Sequence, residues 1–128
     1  MSAIVTNKYN LNIWQGSTFG ISVEVRYANN TPQPIDGFQA RMQLRPNYRS
    51  DVVVESLSTA NGEITFTGST GGIQLELSAD RTANIPVDLT NGKPPKSLYV
   101  YDLELIDSDN KVSKLLYGDV AVYGEVTR

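Results

Sequence analysis

Thr18–Tyr27 reads TFGISVEVRY. Phe19, Ile21, Val23, Val25 and Tyr27 fall on one face, and Ser22, Glu24 and Arg26 on the other. A period of two sustained this long fits a half-buried β-strand and no helix. The same alternation recurs on both sides. Upstream, Tyr9, Leu11 and Ile13 alternate with asparagines, and Gln15–Ser17 (QGS) marks a turn or a bend between sheets. Downstream, ANNTPQPIDG is a loop whose two prolines cannot donate to a ladder. QARMQLR then places Ala40, Met42 and Leu44 inward, with Arg41, Gln43 and Arg45 outward.

Further strands are expected in DVVVESLS, at Ile64–Thr67, at Ile73–Leu77, and in SLYVYDLELI and VSKLLYGDVAVYGEV. A glycine-rich turn joins the second and third of these. That turn lacks the Lys-Ser or Lys-Thr and the following helix that a phosphate cradle needs. The one helical signal is SADRTANIP, where Ser78 can cap one or two turns that end at Pro86. About eight short strands separated by Gly, Asn and Pro turns predict an all-β fold, two packed antiparallel sheets over residues 1–128 as a single domain.

Composition removes several function classes. The 128 residues contain no cysteine and no histidine. That excludes a disulfide framework, a thiolate zinc site, a cysteine nucleophile and the Ser-His-Asp arrangement. A net charge of −3 gives no overall positive field for nucleic acid. Arg41 and Arg45 share a strand face and are expected to pair with acids on a neighbouring strand. No apolar run reaches the roughly 18 residues that span a bilayer, and MSAIVTNKYN is not a secretion signal. The expectation is synthesis in the cytoplasm, with no membrane partner.

The densest group of reactive side chains is Asp102, Glu104, Asp107 and Asp109, with Asn110 adjacent. As a calcium loop beginning at Asp107, it would require an oxygen ligand, a glycine and an acid where Lys111, Val112 and Gly118 stand. As a glycosidase pair, Asp102 and Glu104 share a strand face, but with Leu98, Val100 and Ile106, and no cleft is indicated that would raise one pKa. A hairpin turn over Asp107–Lys111 accounts for the polar residues between two alternating segments. The sequence therefore assigns no catalytic residue, no metal and no cofactor, and the chain is not expected to be an enzyme.

A binding module shows aromatic residues on the face that should be polar. Trp14 is out of phase with Leu11 and Ile13. Tyr117 and Tyr123 lie opposite the Leu116, Gly118, Val120 and Val122 face of the last strand. Trp14, Tyr117 and Tyr123 are the candidate partner interface, core packing being the other reading of each. The loops Asn29–Gly37 and Asn91–Lys96 are the next candidates.

IWQGSTFGISVEVRY, TPQPIDGFQARMQLR, NGEITF with GGIQLELSADRTANIP, and YVYDLELIDSDNKVSKLLYGDVAVYGEVTR occur in an order that resembles a family of small proteins of phage and prophage tail gene clusters. The chain is similar, more distantly, to the immunoglobulin-like N-terminal domain of phage baseplate upper proteins. It departs from the commoner pattern at two turns, with DGF for a DLTGY-like turn and DNK for DGT. The resemblance implies an immunoglobulin-like β-sandwich in the virion tail, a baseplate or tail-fibre connector. It implies contacts with other tail, baseplate or fibre proteins, in multiple copies within a symmetric assembly, and it carries over no catalytic residue. The rival reading is a carbohydrate-binding or receptor-recognition module that stacks Trp14 or a tyrosine on a sugar ring.

Overall fold

The computed structural model describes residues 6–27, 29–67 and 71–128. Among these residues nine strands form two sheets, with one short helix beside them. The strands are β1 (Asn7–Lys8), β2 (Leu11–Trp14), β3 (Phe19–Glu24), β4 (Gln39–Arg45), β5 (Glu55–Ser58), β6 (Ile64–Phe66), β7 (Gly72–Leu77), β8 (Lys96–Ile106) and β9 (Val112–Tyr123), and the helix α1 (Ala79–Ala83) follows β7. The larger sheet runs β1-β9-β8-β4-β5, with β2 also on β9, and the smaller runs β3-β7-β6. In immunoglobulin terms β3, β7 and β6 take the B, E and D places, β4, β8 and β9 take C, F and G, and β5 is the added C′ strand. The immunoglobulin-like sandwich expected from the sequence is the fold of the chain.

Period-two patterning builds the core. Ala40, Met42 and Leu44 from β4, Leu103 and Leu105 from β8, and Val120 and Val122 from β9 meet Ile73, Leu75 and Leu77 from β7 in one buried cluster. Fully burying each of these side chains other than Ala40 contributes about 1.5–3 kcal/mol.

Pairing at one edge is parallel. β2 runs alongside β9 with Leu11 opposite Val120 and Trp14 opposite Tyr123, and β1 opposes Leu116 and Tyr117. Between them Tyr9 and Asn10 belong to neither strand, though the register on β9 is the same on both sides, and Tyr9 is exposed rather than buried with Leu11 and Ile13. This segment passes close over Gly118, where a Cβ would stand 2.5 Å from the Tyr9 carbonyl oxygen. A glycine is therefore required there by close backbone approach.

The strand expected across DVVVESLS begins only at Glu55. Continuing the β4–β5 register from Leu44 opposite Glu55 would set Val53 against Pro46, which has no N–H, and Val52 against the turn that follows. Val52 and Val53 are accordingly exposed. The helix forms as expected: Ser78 caps it, its hydroxyl accepting from Arg81 N–H. Most of the glycine-rich turn joining β6 to β7 falls at 68–70, outside the described residues.

Candidate functional site

The Gln15–Ser17 turn carries the chain from the larger sheet to the smaller one, with Gly16 at φ +79° and Ser17 N–H donating to Trp14 O at 3.1 Å. The turn is clamped from below by α1. The Thr82 hydroxyl, fully buried, lies 2.8 Å from Ser17 O and accepts from Gly16 N–H at 3.1 Å. Gln15 Nε2 donates to Ile85 O at 2.6 Å. This anchoring fixes the end of β2, and with it Trp14.

Trp14 points out of the larger sheet and stacks on Tyr123, its register partner, with ring centroids 4.5 Å apart and planes 18° from parallel. Trp14 remains 48% exposed, so it is a surface residue and not core. Leu98 on β8 lies diagonally beside this pair, opposite Ala121, and is 61% exposed. Beyond the stack an open groove of about 640 Å³ is walled by Trp14, Pro94, Pro95 and Val126, with Lys93 and Glu125 at its polar margin. The Lys93–Pro94 bond is cis. Gly124 permits the close packing here, since a Cβ would sit 2.8 Å from Pro95 and 2.9 Å from Leu89.

Tyr117 belongs to another part of the same face. It is half-buried opposite Asp102, six residues from Tyr123 along β9 and so about 20 Å away. The structure thus brings Trp14 and Tyr123 together and leaves Tyr117 apart. Sequence reasoning missed Leu98 and Val126 as surface elements, whereas Pro94 and Pro95 lie in the Asn91–Lys96 loop that it named as a further candidate. A signal for Leu98 existed, because it shares the phase of Asp102 and Glu104.

Around Tyr117 the face is charged and internally paired. Arg41 Nε donates to Glu104 at 2.8 Å, and Lys114 Nζ lies 3.1 Å from Asp102. The hydrogen bond and charge of Asp102 hold the Lys114 ammonium above its usual pKa. Asp102 and Glu104 therefore each have a cation partner, and the arrangement is that of a solvated strand face. Among the described residues Arg45 has no acid partner. It donates to Gln43 Oε1 at 2.9 Å and to Ser50 O at 2.8 Å, tying down the turn after β4.

Asp107–Lys111 is a turn. Asp107 Oδ1 accepts from Asp109 N–H at 2.8 Å and from Lys111 N–H at 2.9 Å, and Asn110 sits at φ +63°. An oxygen engaged in this way organises backbone, as Asx turns do.

No family model and no curated protein matches the chain. Among solved structures, it is similar to a family 123 glycoside hydrolase from Clostridium perfringens, at 12% identity and a TM-score of 0.36 over 95% of this chain and 24% of that one. It is also similar to murine CRIg, at 10% identity and a TM-score of 0.29 over 93% of this chain and 92% of that one. The chain thus spans about a quarter of the hydrolase. Likeness at this level assigns no activity, and the fold assignment stands on strand order and register.

Proposed function

We propose that the chain is a non-enzymatic protein–protein contact module, a connector in a phage tail baseplate or tail fibre, and that Trp14 is its anchor. The observation that carries the contact reading is the Trp14–Tyr123 stack, an aromatic pair held rigidly on the outer sheet face yet half open to solvent. Aromatic side chains in that position supply much of the energy of protein interfaces, and the loss of one costs about 2 kcal/mol or more of binding. Leu98 and Val126 widen the apolar area around it. The assignment to a tail rests on the sequence resemblance.

Trp14→Ala tests it. The stack is worth about 0.5–1.5 kcal/mol to the isolated domain, so the variant folds, with a slightly lower melting temperature, and fails to enter particles. Normal incorporation of a folded Trp14→Ala chain contradicts the reading. The groove beside Trp14 also has a polar margin, which favours the carbohydrate-binding alternative to a lesser degree. In that case the fluorescence of the single tryptophan responds saturably to a glycan titration, while incorporation is unaffected.

A further inference from the structure

The smaller sheet has an open edge with an unusual character. β3 pairs with β7 from Phe19–Leu77 to Glu24–Gly72, and Val25 N–H continues the ladder to Gly71 O. Backbone groups alternate in an antiparallel ladder, so Phe19, Ile21 and Val23 face β7, while the Val25 carbonyl accepts from Gln33 N–H at 2.9 Å. Gly20, Ser22 and Glu24 point their N–H and C=O groups away from it. Among the described residues no strand lies beside them. Edges of this kind are normally kept short, bulged, or guarded by lysine or proline. The opposite edge of the same sheet, β6, has three residues, and the β5 edge of the larger sheet has four. β3 has six, in an unbroken register, with neither lysine nor proline.

Gly20 adds an independent observation. A Cβ there would meet nothing nearer than 3.5 Å, so the folded chain has room for a side chain at this position. Glycine weakens a strand interior and marks places where another backbone comes close. The inward residues at this edge are also incompletely covered. Ile21 and Val23 are half-buried, whereas their partners Leu75 and Ile73 are buried.

We propose that β3 pairs antiparallel with β3 of a second copy of this chain, about a two-fold axis through Ser22, joining two three-stranded sheets into one. In this register Ser22 faces Ser22 of the other copy, Gly20 faces Glu24, and Ile21 lies beside Val23. Outward-directed residues meet outward-directed residues, so the ladder closes with about six hydrogen bonds. Glu24, already paired with Arg26 at 2.9 Å, meets a glycine rather than another acid, which avoids the like-charge penalty of a cross-strand pair. The interface is isologous, as two-fold contacts require. This pairing uses a different face from Trp14 and does not depend on the tail reading.

Sedimentation equilibrium of the purified chain, from micromolar to millimolar concentration, tests the pairing together with two variants. The wild type forms a concentration-dependent dimer. Ser22→Lys, an exposed substitution compatible with the monomer fold, sets two cations opposite each other at the axis. Ser22→Pro removes two of the hydrogen bonds, which weakens the dimer more than about tenfold. Amide exchange at Gly20, Ser22 and Glu24 slows as concentration rises, and Trp14→Ala leaves the dimer intact. A wild type that stays monomeric over the whole range overturns the proposal. So does a dimer that both Ser22 variants leave unchanged, or one that protects other amides instead.

Discussion

Arg81 and Glu55 are joined at two points beside the β5 edge of the larger sheet. The guanidinium, on the last turn of α1, donates through Nε to Glu55 Oε2 at 3.0 Å and through Nη2 to Oε1 of the same carboxylate. Nη1 reaches Glu63, and Nη2 also donates to Ser56 O at 3.0 Å. The two carboxylate side chains are only 11% and 15% exposed. Chiefly through the Glu55 hydrogen bond, the pair holds the Arg81 guanidinium above its ordinary pKa. One side chain thus ties the helix to the β5 edge of the larger sheet and to the start of β6 in the smaller one.

Removing Arg81 strands two mostly buried carboxylates. Breaking a fully buried pair costs about 3–5 kcal/mol, and the partial exposure of Arg81 reduces this. Arg81→Met is therefore expected to lose about 2 kcal/mol in urea unfolding at pH 7. Arg41→Ala, on the open sheet face, is expected to lose less than about 1 kcal/mol. Equal losses for the two would contradict the clamp.

Gly118→Ala forces a methyl group against the Tyr9 carbonyl and pushes the segment between β1 and β2 off β9. Overpacking of this kind costs about 1–3 kcal/mol, and thermal melts should register it. Gly37→Ala, where a Cβ meets nothing within 4 Å, should lose only what its positive φ demands, about 1 kcal/mol.

Where one physical rule dominated, the sequence could be read directly. Alternation located β3, β4, β8 and β9 because each has one face in the core, and Ser78 and Asp107 were legible because cap and turn chemistry is local. The parallel docking of β2 on β9 was not legible, since no periodicity encodes which distant strand is a neighbour. The outward phase of Trp14 and Tyr123 could be read from their own strands, but their stacking depends on that pairing. The Arg81 clamp was hidden for the same reason: Glu55 lies 26 residues away. Val52 and Val53 misled because β-branched residues suggest a strand even where Pro46 denies them a partner.

Asp107→Ala removes an acceptor for two backbone N–H groups and should cost about 1–2 kcal/mol. Asp109→Ala should be within about 0.5 kcal/mol of wild type. Millimolar calcium should leave the melting temperature of all three chains unchanged. A calcium-dependent rise of several degrees, reversed by chelation, would replace the turn with an ion site.

Burial, with a smaller contribution from Tyr9, raises the pKa of the Tyr101 phenol, which donates to Tyr9 O at 2.6 Å. A raised pKa means that the folded chain keeps this proton after the unfolded chain has released it near pH 10. The associated stability is complete below that pH and is lost as pH climbs above it. Tyr101→Phe should therefore be less stable by about 1 kcal/mol at pH 7, with the gap closing by pH 11. Urea midpoints across pH 7–11 check this, and a gap that widens with pH would contradict the sign.

The proposal that the chain works by contact within a tail is tested most directly by hydroxyl-radical footprinting of purified particles, read by mass spectrometry beside the free chain. The account predicts that the chain is present at a fixed ratio to the other tail proteins, and that labelling of Trp14 falls severalfold on assembly while Tyr48, 71% exposed in the turn after β4 beside Asp102 and Glu104, is labelled as in the free chain. A chain absent from particles, or present with Trp14 labelled as fully as in solution, would contradict it.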